Sequence, residues 1–260
     1  MDSVRKEGVH MLTPIATIHT DLPEKFGVPR QSGVVEDLPG IIVFAPSYRN
    51  PDALRELTGF SHLWLIWQFS RAAEIWGEGW QPMVRPPRLG GNRKVGVFAS
   101  RSPFRPNQLG LSVVRIEAVI TCKEEETPWN GPAGTGAYPY IRIRGVDMMD
   151  GTPLYDIKPY IPYSDSIPDA APGYTAGSWK SGGQEKLDVN IPAELAAALP
   201  EGKEDLVREL LAADPRPPYQ DDPELIYGMT FAGVNIKFIV KNRCAVVTAV
   251  EAAAGGLSHR

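Results

Sequence analysis

Between Phe60 and Phe69 the chain reads FSHLWLIWQF, its most apolar run. Ten residues this rich in aromatic and aliphatic side chains, followed at once by the polar Ser70-Arg71, are short for a buried helix and predict a strand buried on both faces. Strand patterns recur around it. Thr13–His19, Ile41–Phe44, Val95–Ala99, Leu109–Ile120 and Tyr140–Arg144 alternate or are β-branched, and they are separated by proline- and glycine-rich connections. One short helix stands among them, over Asn50–Leu57, with Asn50 as N-cap, Pro51 in the first turn and Gly59 past the end. Six or more strands with one short helix predict a mainly β, antiparallel architecture, a small barrel or half-barrel. The connection Asp21–Gly33 is longer than a tight turn requires. Lys123–Pro139 reads as an exposed excursion, and Leu154–Pro172 as a proline-studded segment.

From about Ala176 the texture changes. Pro192–Leu199 and Glu204–Ala213 carry amphipathic helix patterns, DPRPPY at Asp214–Tyr219 breaks the chain, and three strands follow at Leu225–Phe231, Val234–Lys241 and Cys244–Val250. The expectation is a barrel domain over 1–174 and a smaller α+β domain over 175–260, frayed after Ala252.

With 43% hydrophobic and 22% charged residues, the 260-residue chain has the make-up of a folded soluble protein. No apolar run approaches the roughly 20 residues that span a bilayer, and MDSVRKEGVHM lacks the apolar centre of a signal peptide, so a cytoplasmic protein without membrane contact is expected. Cys122 and Cys244 lie far apart without CxxC spacing. The histidines, at 10, 19, 62 and 259, have no metal-ligand spacing, so no metal is expected, and His62 reads as a structural residue. Neither a GxSxG elbow nor a Walker A loop occurs, and GPAGTG in the excursion is not followed by a helix.

Charge is segregated along the chain. Val84–Asn107 carries Arg85, Arg88, Arg93, Lys94, Arg101 and Arg105, and no acid occurs from Gly79 to Ile116. The net charge is −4, so without those six cations the remainder stands at about −10. Four prolines and Gly90-Gly91 hold the cations on loops flanking a short rung, a layout suited to an anion, because guanidinium forks onto phosphate or carboxylate oxygens. The alternative is a solvated basic face paired with acids elsewhere. GVDMMDG places Asp147 and Asp150 at a strand end beside glycines, either as reactive carboxylates or as an Asp-rich turn, and Lys158 in DIKPY has the same ambiguity.

PRQSG at Pro29–Gly33, FSHLWL at Phe60–Leu65, RPPRLGGN at Arg85–Asn92, VGVFASRSPFRPN at Val95–Asn107 and DGTPLYDIKPYIPYSDSIPDA at Asp150–Ala170 occur in one order. Together they resemble the TsaA-like family, which includes a bacterial tRNA (adenine-N6)-methyltransferase. The likeness runs from about Leu12 to Tyr174, and DPRPPY with the strands after it is similar to the C-terminal domain of bacterial members. The resemblance implies a non-Rossmann β-barrel that binds S-adenosyl-L-methionine and acts, as a homodimer, on N6-threonylcarbamoyladenosine beside the anticodon of threonine tRNA. It implies a cofactor site of Pro29, Arg30, Gln31, Ser70, Arg71, Arg101, Leu111, Gly145, Val146 and Asp147. Asp147 or Asp150 could take the N6 proton, and Arg85, Arg88, Arg93, Lys94, Arg105 and Lys158 would meet the tRNA anticodon loop. Two other readings remain compatible with the motifs: a noncatalytic RNA- or nucleotide-binding barrel, and a methyltransferase of this fold with another substrate.

Overall fold

The computed structural model describes residues 11–69, 79–86, 93–121, 139–176, 186–217, 220 and 222–253. Six antiparallel strands close into a barrel in the order β1, β2, β7, β6, β3, β8, where β1 is Ala16–His19, β2 Pro39–Phe44, β3 His62–Gln68, β6 Leu109–Ile120, β7 Tyr140–Arg144 and β8 Thr152–Pro159. Two short strands, β4 (Met83–Val84) and β5 (Val95–Gly96), pair outside it. Closure leaves no open edge and lets inward side chains fill the interior.

The apolar run forms β3, but it is buried on one face only. Leu63, Leu65 and Trp67 point inward while Trp64 and Ile66 keep partial exposure. A small barrel has one filled interior and a solvated outside, so even a near-continuous apolar strand alternates there.

Other elements differ from the sequence expectation for local reasons. Over Asn50–Leu57 the chain makes 3-10 turns, Pro51–Leu54 and Leu57–Gly59, separated by Glu56 in the left-handed region, which an α-helix excludes. The expected strand Val95–Ala99 stops at Gly96. The carbonyl of Val97 is claimed by the Ser100 hydroxyl at 2.8 Å and the Ser100 amide at 3.1 Å, which turns Val97–Ala99 into a 3-10 turn. Conversely, β8 starts at Thr152 and runs into the Leu154–Pro172 segment that its prolines had marked as irregular. Pro153 and Pro159 fall near its two ends, where missing amides are tolerated.

The second unit is a four-stranded sheet in the order β10, β11, β12, β9, with β10 at Tyr227–Phe231, β11 at Val234–Lys241, β12 at Cys244–Ala252 and β9 at Asp188–Asn190. The strand β9, parallel to β12, was not legible as a strand. The helix expected over Pro192–Leu199 contracts to the single turn Ala193–Ala196, whereas Glu204–Ala212 forms a helix that buries Val207, Leu210 and Leu211. The excursion at 123–139, apart from Pro139, and the tail at 254–260 lie outside the described residues.

The long β1–β2 connection earns its length by filling the junction of the two units. Leu22 and Leu38 are fully buried in it. Phe26 stacks on Tyr227 and packs against Phe238, each at 6.3 Å between ring centres. Gly27 has φ +95°, and a Cβ there would stand 2.6 Å from Met229 Cγ, so only glycine permits the approach. Carbonyl and carboxylate oxygens of the same loop complete the β10 end: Asp21 O accepts from the Ala232 amide at 3.0 Å and Glu24 Oε1 from the Thr230 amide at 3.1 Å. One continuous hydrophobic core therefore runs from the barrel into the second sheet.

Candidate active site at the barrel mouth

The segment after β7 crosses one end of the barrel. Gly145 and Asp150 amides donate to Leu38 O (2.9 Å) and Leu22 O (2.8 Å), and Gly151 to Ile18 O (3.0 Å). Val146 and Met148, almost wholly buried, join the hydrophobic core here, and Asp147 lies between them. The amide of Gly33 donates to Gly145 O at 3.0 Å, and Gly145 takes φ +80°. That contact lays the Pro29–Gly33 loop against the Asp147 turn.

Several of the expected cofactor residues meet here. Arg101 Nη1 donates to Gln31 Oε1, Gln31 Nε2 donates to Arg30 O at 2.6 Å, and the Arg101 charge acts on Asp147. Asp147 Oδ1 is shut off from solvent and has no hydrogen-bond partner among the described residues. Burial pushes its pKa up to about 6, against the opposing pull of the Ser112 hydroxyl, the Ser32 and Asp147 amides and Arg101. This carboxyl therefore changes protonation state near neutral pH.

Ser112 was missing from the sequence-derived site. It is 2% exposed on β6, and its Oγ accepts from Trp67 Nε1 at 3.0 Å, which leaves its own proton for Asp147. Gly110 makes this possible. Trp67 lies flat on it across the β3–β6 pair, where a Cβ would be 2.2 Å from Trp67 Cε2. A signal was present, because the inward positions of LGLSVV are Gly110, Ser112 and Val114, and a serine on a core-facing period is rarely idle.

Arg30 sits in the loop, but its guanidinium turns to the second unit, donating to Arg216 O at 2.7 Å and Asp214 O at 3.4 Å. Arg216 in turn grips Asp214 through Nε (2.8 Å) and Nη2 (3.0 Å). The DPRP segment thus contacts the Pro29–Gly33 loop through Arg30. Pro29 is buried beneath it, while Leu111 on β6 is 54% exposed on the barrel's outer face. Ser70 and Arg71 lie outside the described residues.

Asp150 is engaged elsewhere. Its Oδ1 stands 3.1 Å from His19 Nδ1 and accepts from the Thr20 amide at 3.1 Å. Burial alone would raise its pKa, but these partners more than offset that and hold it below the ordinary carboxylate range. Asp147 is left as the carboxylate beside Arg101.

Of the cations expected to meet RNA, Arg85, Arg93 and Lys94 are exposed and, among the described residues, form no ion pair with a carboxylate. Arg88 lies outside the described residues. Arg105 is bound locally to Ser100 O (2.6 Å) and Val97 O (3.3 Å), so it shapes the turn that carries Arg101. β8 begins at Thr152 beside this mouth, and Lys158, paired with Trp64, lies six residues further on, about 20 Å along the strand. No helix among the described residues is long and apolar enough to cross a membrane, and no group of three His, Cys, Asp or Glu among them could hold a metal.

The chain is similar to known proteins over nearly its whole length. Residues 17–166 match the family model of the tRNA-methyltransferase O (TrmO) N-terminal domain, and residues 184–253 that of the TrmO C-terminal domain. A tRNA (adenine(37)-N6)-methyltransferase of Escherichia coli K12 is 36% identical over 245 residues, covering 91% of this chain and 96% of that protein. One of the same name from Eikenella corrodens is 43% identical over 197 residues, covering 75% and 99%. A crystal structure of TrmO superposes with a TM-score of 0.71 at 26% identity, covering 94% of this chain and 99% of the other.

Proposed function

The chain belongs to the tRNA-methyltransferase O family, and from that premise we propose that it transfers the methyl group of S-adenosylmethionine to N6 of adenine 37 in tRNA. Within that reaction we take the substrate to be N6-threonylcarbamoyladenosine in threonine tRNA and the acting species to be a homodimer, both on the resemblance of the motifs. The observation that supports the catalytic reading is Asp147. It has a solvent-shielded, unpartnered Oδ1 and a pKa near 6, and it stands beside Arg101 on a mouth lined by Gly33 and Gly145.

These residues fit the cofactor. Its carboxylate suits the Arg101 guanidinium, and its ammonium or ribose hydroxyls suit acceptors on the Pro29–Gly33 and Gly145–Asp147 main chain. S-adenosylmethionine supplies a methyl carbon already bonded to a good leaving group. Alignment and exclusion of water are therefore the larger part of what the protein must add.

The new N6–C bond leaves N6 with a proton to lose. Asp147, ionised at neutral pH and shielded from water, accepts it. Ser112 stabilises the ionised form, and Trp67 fixes the Ser112 hydroxyl so that its proton points to Asp147. Gln31 and Arg101 hold the loop and the turn together over the same mouth.

The test is mass spectrometry of tRNA nucleosides from cells with and without the gene. N6-methyl-N6-threonylcarbamoyladenosine should vanish in its absence and return with the wild type but not with Arg101→Ala. Persistence of the modified nucleoside without the gene would refute the assignment.

A further inference from the structure

In the acid-free stretch that carries Arg101, two aromatic rings stand open to solvent. Trp80 is 50% and Phe98 71% exposed, their ring centres are 6.2 Å apart and their planes differ by 20°. The Arg105 guanidinium lies 6.0 Å from the Phe98 centroid. Both rings are braced in place. The Gln81 amide donates to Phe104 O (3.1 Å) and the Val97 amide to Pro82 O (3.0 Å), Val97 is buried, and Arg105 pins the Val97 and Ser100 carbonyls. A braced, near-parallel aromatic pair left in water is surface that a folded chain ordinarily covers.

We infer that Trp80 and Phe98 form a stacking platform for an unpaired base of the RNA, next to the adenine that is methylated. The inference rests on the tRNA reading above and adds the surface that grips the loop. Charge selects the occupant. The exposed Arg85, Arg93 and Lys94 flank the strands between the two rings, and no acid occurs from Gly79 to Ile116, so a π-face bounded by phosphates is complementary to this surface. Position agrees with charge. Phe98 lies three residues before Arg101 on the turn closed by Ser100, so a base stacked on it is a near neighbour of the reacting one.

The experiment is binding of a dye-labelled anticodon stem-loop, followed by anisotropy, to the full chain and to Phe98→Leu and Trp80→Leu, which keep apolar bulk but lose the π-face. Each variant should bind about 10-fold more weakly, and Phe98→Tyr should bind like the wild type. An abasic site at the stacked position should weaken wild-type binding similarly and leave Phe98→Leu unaffected. Melting temperature and S-adenosylmethionine affinity should not change, because the rings are outside the core. Unchanged RNA affinity in both leucine variants would overturn the platform. So would loss of cofactor binding in place of RNA binding, or a change of oligomeric state without RNA, which would mark the rings as a contact between copies. If the wild type transfers no methyl group to tRNA yet binds the stem-loop through these rings, the platform stands and the catalytic reading fails.

Discussion

Replacing Asp147 by Asn should make the protein more stable at neutral pH and nearly inactive. In the folded chain the Asp147 carboxyl titrates near 6, against an ordinary value of 3.8. The folded state therefore holds this proton more tightly than the unfolded state. The stability tied to that proton is complete below pH 3.8 and is lost as the pH rises through 6. Two pH units correspond to about 3 kcal/mol, which is the penalty for keeping a buried carboxylate ionised above pH 6. Asn has nearly the same shape and no charge to desolvate. Its stability advantage over the wild type should be near zero at pH 4, grow between pH 4 and 6, and level off at about 2–3 kcal/mol above that, with the new amide donors offsetting part of the gain. Denaturant melts of both proteins at unit steps from pH 4 to 8 give the difference directly. Methyl transfer by the variant should fall about 100-fold or more, the usual contribution of a positioned base. A stability difference independent of pH, or a wild type that is the more stable at pH 7, would refute the account of Asp147 as a carboxylate ionised against its surroundings.

Ser112→Ala removes the hydroxyl that favours the ionised Asp147 and strands the buried Trp67 N–H. The acidic limb of the pH–rate profile should move upward and stability should fall by about 1–3 kcal/mol, read by kinetics and melting. Asp214→Asn keeps a residue type tolerant of its φ of +49° but discharges the carboxylate that holds Arg216. The loss should be about 1–2 kcal/mol of stability, and the Michaelis constant for S-adenosylmethionine should rise about 10-fold because the Arg30 loop loses its backing. An unchanged constant would show that the second unit does not act on cofactor binding through the Pro29–Gly33 loop. Lys94→Ala should weaken tRNA binding and lower the slope of log affinity against log salt by about 0.7, while cofactor affinity measured by calorimetry stays the same.

Period-two alternation, proline and glycine punctuation and the acid-free basic stretch were enough to read an antiparallel β architecture. They also located Leu109–Ile120 and Tyr140–Arg144 to the residue, because those signals are local. The motif resemblance likewise pointed to Gln31, Arg101 and Asp147 before their positions were known. Tertiary structure decided the rest. Closure of the barrel made β3 one-sided and recruited the proline-bounded β8. Packing of Phe26 against Tyr227 and Phe238 explained a connection that looked merely long. Asp147 and Asp150 are chemically the same residue three positions apart in one turn. Only the fold shields one from water beside Arg101 and gives the other to His19 and the Thr20 amide. A side chain's type is written in the sequence, but its pKa and partners are set by groups that arrive from distant strands and by the water those groups exclude.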